Sequence, residues 1–188
     1  MELQKISVKF FVAKPNKIPL ADFIDVFHGW IQASDGVYHD VADYSHMQDG
    51  PGIVLVANNA NVSIDETGGR RGLLYKQKSG LDGSNQEKLR YVFRSALENC
   101  LRIEKEPGLT GKIKFPAEIA EITFNDRLIT PNTEEAFEKL KPDLETFLAT
   151  LYGGCAVSIE RNSEPRECLG LEVKAARPFE IVTLLKSL

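Results

Sequence analysis

The segment HDVADYSHMQDGPG, residues 39–52, gathers two of the chain's three histidines and three aspartates, then ends in Gly50-Pro51-Gly52. Imidazole and carboxylate groups carry protons and ligate zinc, so the segment raises both chemistries. On a helix, His39, Asp43 and His46 would share one face at i, i+4 and i+7, a credible metal arrangement. On a strand, His39, Val41, Asp43 and Ser45 face one way and Asp40, Ala42, Tyr44 and His46 the other. The histidines would then lie on opposite faces, about 23 Å apart at ~3.3 Å per residue. Val41, Tyr44 and the glycine–proline stop favour the strand, so no metal site is expected here. What survives is Asp43 or His46 presented to a group elsewhere in the chain. Asp43 sits beside Val41 on a core-facing side, and a buried carboxylate needs compensation. Arg70, Arg71 or Arg127 could supply it, as could turn amides.

A second cluster, ANNANVSIDETGGRR, covers residues 57–71. Asn61, Ser63 and Asp65 project from one strand face as a polar ribbon, which also describes a solvated sheet face. Gly68-Gly69 followed by Arg70-Arg71 offers backbone amides and guanidinium groups, which suit phosphate or carboxylate. The GxxxxGK[ST] spacing of a phosphate loop is missing and no helix follows directly, so a hairpin turn is the simpler reading. The candidate ligand-binding set is therefore Asp43, His46, Asn61, Asp65, Arg70 and Arg71. No GxSxG elbow occurs, and Cys100, Cys155 and Cys168 lack CxxC spacing, so neither a nucleophile nor a metal or cofactor is expected.

These residues must be positioned by strands and helices. KISVKFFVA, residues 5–13, alternates as a strand; Leu20, Phe23, Ile24, Phe27, Trp30 and Ile31 mark a helix over about 20–32. Strands are expected at VYHDVADYSH, GIVLVANN and GLLYKQ, with ANVSID between the last two. SNQEKLRYVFRSALENCLRIEKE reads as a long helix with a Ser84/Glu87 capping box. Further on, KIKF, AEIAEITF and RLIT read as strands. A helix follows from an Asn132/Glu135 capping box through Pro142, where a kink or two abutting helices are expected. Strands CAVSIER and CLGLEVKAA and a short helix close the chain.

The fold expected is a single α+β domain over 1–188, a mostly antiparallel sheet covered by helices. The order strand, helix, strands, helix occurs twice, over 1–108 and 109–188, as two pseudo-repeated halves would produce. With 43% hydrophobic and 27% charged residues the chain is not a disordered one. The net charge of −4, with Arg70-Arg71 the longest basic cluster, argues against a nucleic-acid partner. The longest apolar run, 53–57, is far short of the roughly 20 residues of a membrane span. The acidic, alternating start is unlike a secretory leader, so a cytoplasmic protein with reduced thiols is expected.

The segments DVADYSHMQDGPG, GLLYKQK and NDRLITPNT resemble those of a family of bacterial proteins of similar length with no assigned activity. The resemblance runs over the whole chain and implies no catalytic residue. It implies that the chain is not a divergent copy of a well-described enzyme. The expected function is a non-enzymatic binding or accessory protein for a protein partner or small anionic ligand. The alternative is a small-molecule enzyme using Asp43 or His46 with Arg70 or Arg71.

Overall fold

A computed structural model describes residues 1–164 and 166–188. Its elements run β1 (Ile6–Phe11), α1 (Asp22–Ala33), β2 (Tyr38–Asp43), β3 (Ile53–Ala57), β4 (Ala60–Asp65) and β5 (Gly72–Gln77). They continue α2 (Asn85–Lys105), β6 (Ile119–Phe124), α3 (Glu134–Leu151), β7 (Val157–Arg161), β8 (Leu169–Ala175) and α4 (Ile181–Ser187). The strands form one open eight-stranded sheet in the order β2-β3-β4-β5-β1-β6-β8-β7. Every neighbouring pair is antiparallel, which makes this an α+β fold.

The period-2 pattern of β1 sends Ile6, Val8 and Phe10 to one face, where none is solvent-accessible. The helices gather over that face. α2 starts at a capping box, in which the Ser84 hydroxyl accepts from the Glu87 amide and the Glu87 carboxylate accepts from the Ser84 amide. It buries Leu89, Val92, Phe93, Ala96, Leu97, Cys100 and Ile103 against the sheet. Phe93 meets Phe10 edge-on at 6.0 Å between centroids and Phe147 of α3 at 4.8 Å. Each such side chain contributes about 1.5–3 kcal/mol by leaving water. Cys100 lies inside this stripe, and burial pushes its thiol well above the ordinary range.

Several expectations change in detail. The cap of α3 is Thr133, whose hydroxyl accepts from the Ala136 amide. Asn132 is occupied otherwise, donating to the Glu164 carbonyl and accepting from Arg161 at 2.9 Å each. α3 continues through Pro142 as one helix, with the Thr146 hydroxyl bonded to the Pro142 carbonyl. RLIT is a turn because Asp126 Oδ1 accepts from the amides of Leu128 and Ile129, which takes their donors from any ladder. KIKF is likewise outside the sheet, its Phe115 amide donating to Glu104. The expected strand to His46 stops at Asp43, where a turn begins. Residues 1–108 hold β1 to α2 and 109–188 hold β6 to α4, an order that does not by itself establish a duplication. Among the described residues, no helix is long and apolar enough to cross a membrane.

Candidate functional site

The second face of the sheet is the more polar one, with Ser7, Lys9, Ser63 and Asp65 buried on it. On it β1 places Ser7, Lys9 and Phe11. Lys9 lies opposite Leu74 of β5 on one side and Glu121 of β6 on the other. Glu121 in turn lies opposite Glu172 of β8, and Glu172 opposite Glu160 of β7. Three carboxylates therefore stand side by side across adjacent strands.

Lys9 does not reach toward them. Its ammonium bonds Asp65 Oδ1 at 2.5 Å and the Thr67 carbonyl at 3.3 Å, and Lys9 and Asp65 are each only 3% exposed. Asp65 is further satisfied by the Thr67 amide at 3.2 Å and hydroxyl at 2.9 Å. The lysine crosses β5 to get there, over Gly72. A Cβ at Gly72 would stand 2.9 Å from Lys9 Cε and 2.6 Å from the Phe10 carbonyl oxygen. The missing side chain is thus what lets β1 and β4 exchange charges, and the pair pins the short 3₁₀ turn Thr67–Gly69 onto this face.

That turn delivers Arg70. Its guanidinium stacks 3.7 Å from the Phe11 ring centroid and donates to Glu172 Oε2 at 2.5 Å. Between this pair and Asn162, Glu167 and Cys168 lies a cleft of about 510 Å³. Its lining includes Thr67, Arg70, Glu121, Thr123, Glu160 and Glu172. Burial pushes the Glu121 carboxyl upward; Lys9 and Arg70 oppose that shift, and the negative charges of Asp65 and Glu172 add to it. Arg161 also borders the cleft but is bonded to Glu134 and Asn132. Glu167 at the rim accepts from the Asn162 amide.

The six residues singled out from the sequence separate. Arg70 lines the cleft, whereas Asp65 does not border it and is buried with Lys9 and Thr67. Arg71 turns away, donating to Glu66 at 2.7 Å, Asn16 at 3.0 Å and the Ile18 carbonyl at 2.5 Å. It lines a different hollow of about 760 Å³ together with His46, Lys14, Asp49 and Glu66. Asp43 lines neither cavity. It is exposed, and the hydrogen bonds from the Ser45 hydroxyl and amide hold its carboxyl below the ordinary value. Its partner is therefore a turn serine, not an arginine. Asn61 sits on the same second face as Asp65, with its Oδ1 buried and unbonded. The 760 Å³ hollow is larger, but its one arginine is already held by three acceptors. The 510 Å³ cleft is where charge is left uncompensated.

Sequence reasoning missed Lys9, Glu121, Glu160 and Glu172. The available signal was a charged residue at an alternate position inside an otherwise apolar strand, as in SVKFF, AEITF and GLEVK. Among the described residues, no three His, Cys, Asp or Glu side chains converge in a way that could hold a metal ion. No protein-family model matches the chain, and no curated protein matches it.

Proposed function

We propose that this is a ligand-binding protein whose outer-face cleft takes a small molecule carrying a cationic nitrogen, an ammonium or a guanidinium group. The observation that carries the reading is the row Glu121–Glu172–Glu160, three carboxylates directly opposite one another with Arg70 bonded to the middle one. Like charges directly opposed across strands cost a sheet a few tenths to about 1 kcal/mol per pair. A bound cation removes that repulsion and returns to Glu121 the polar contacts that burial has taken. The small anion expected from Gly68-Gly69-Arg70-Arg71 is disfavoured, because both guanidinium groups already hold carboxylates.

The test is calorimetric titration with agmatine and putrescine, with inorganic phosphate as the opposing probe. Saturable amine binding is expected, weakened about tenfold (1.4 kcal/mol) by Glu121→Gln or Glu160→Gln. Phosphate binding in preference to both amines, or no saturation by either amine, refutes the proposal. A second reading, acid–base catalysis by the same carboxyl pair, is favoured by one observation: Glu121 is shifted upward while its neighbour Glu172 is paired with Arg70. Chemical conversion of the bound amine, followed by NMR, would support it. Unchanged amine at saturation supports binding alone.

A further inference from the structure

On the helix-covered side, a separate cavity of about 450 Å³ opens between α2 and the turn joining β3 to β4. Three tyrosines from three elements meet there: Tyr38 of β2, Tyr75 of β5 and Tyr91 of α2. Tyr91, Ser95 and Asn99 follow at i, i+4 and i+8, so one flank of α2 supplies a phenol, a hydroxyl and an amide in a column. Ala60 and Val62 give the cavity an apolar floor, and Asn58 and Asn59 stand at its edge.

The polar groups are arranged to both donate and accept. Tyr75 is buried and its hydroxyl donates to Gln77 Oε1 at 3.0 Å. Burial, and then the neighbouring Tyr91, push the Tyr75 phenol far up, and burial raises Tyr38 as well, so both stay protonated. The Asn99 amide nitrogen donates to the Ser95 carbonyl at 2.8 Å, which leaves Oδ1 as an acceptor. Arg102 stacks on the Trp30 ring at 3.9 Å and hydrogen-bonds the Tyr38 side chain, opposing the upward shift of that phenol; it does not itself line the cavity. Glu98 at the mouth is the one charged side chain of the lining.

An apolar floor, aromatic walls and a rim of hydroxyls and amides, with no Lys or Arg among the lining residues, match one chemical class well. Ring hydroxyls of a sugar donate and accept as these groups do, and its C–H face packs on apolar and aromatic surface. We propose that the Tyr38–Tyr75–Tyr91 cavity binds a neutral saccharide, independently of the carboxylate cleft on the opposite face.

The full chain would be titrated with maltose, cellobiose, xylobiose and N-acetylglucosamine while tyrosine ring and asparagine side-chain NMR signals are followed. Saturable shifts of Tyr91 and Asn99 with at least one sugar are expected. Tyr91→Ala and Asn99→Leu, both on the accessible flank of α2, should each weaken binding by about tenfold or more, and Glu121→Gln should leave it unchanged. Two-dimensional spectra of the variants check that each is folded. The proposal is overturned if none of the four sugars saturates these signals. It is equally overturned if choline, a cation suited to aromatic cages, occupies the cavity in preference to every sugar.

Discussion

On the inner face of β1, Phe10 meets Phe93 with ring centroids 6.0 Å apart; one residue back, on the outer face, Lys9 meets Asp65 at 2.5 Å. Both residues are withdrawn from water, Phe10 completely and Lys9 to 3% exposure. The contacts that permit this differ in kind. Apolar burial is non-directional and accepts several packings of similar volume. A buried ammonium accepts few arrangements, because its desolvation is offset only by a partner held at bonding distance. The inner face therefore sets stability through many exchangeable contacts. The outer face sets the position of one turn, and with it Arg70 and the cleft, through very few.

The sharpest way to break this contrast is Asp65→Ala, which leaves Lys9 buried without its counter-charge. It should cost about 3–5 kcal/mol in chemical denaturation, as much as a large core truncation. The double change Lys9→Met with Asp65→Leu should recover most of that loss while still releasing the Thr67–Gly69 turn. A double variant as unstable as the single one would show that the ion pair is not the cause. Next in size is Gly72→Ala, whose Cβ would meet the Phe10 carbonyl and the Lys9 stem. A loss of about 1–3 kcal/mol is expected from the forced shift, and an unchanged denaturation midpoint would mean that Lys9 has another route to Asp65. Ser84→Ala, which removes the α2 cap on the helical side, should cost about 1 kcal/mol and leave amine binding in the cleft intact.

The smallest effect is the pH dependence carried by Glu121. Its carboxyl is raised in the folded protein, so between the ordinary glutamate value and the folded one the native state holds a proton that the unfolded chain has released. Stability from this group is greatest below the ordinary glutamate value and falls as pH rises through the folded one. Glu121→Gln should abolish that slope and leave the protein at least as stable at neutral pH. A variant with the same slope as the native protein would assign the dependence to another group.

Much of the fold was legible from local pattern. The alternation of β1 and β4, the stripe of α2 and its Ser84/Glu87 cap are short-range features, and short-range physics produces them. The cap of α3 was displaced by one residue because Asn132 is drawn into bonds with Glu164 and Arg161, which are distant in sequence. The cleft was largely hidden for the same reason. Lys9, Glu121, Glu160 and Glu172 lie on four strands whose adjacency follows from the order β1-β6-β8-β7, and no local pattern carries that order. The sequence clusters at 39–52 and 57–71 looked richer in chemistry, yet Asp43 closes a turn with Ser45 and Asp65 is enclosed by Lys9 and Thr67. Arg70 is the one of the six candidates that lines the cleft, paired there with the middle carboxylate, Glu172.

The central claim is that a cation in the cleft engages an ionised Glu121. It is tested most directly by agmatine calorimetry in two buffers of different ionisation enthalpy, which counts protons exchanged on binding. Because the free carboxyl is raised and a bound cation lowers it, the native protein, at a pH between the ordinary glutamate value and the raised one, should release protons as agmatine binds, and Glu121→Gln should release fewer or none. Proton uptake by the native protein, or equal release by the variant, would contradict the account.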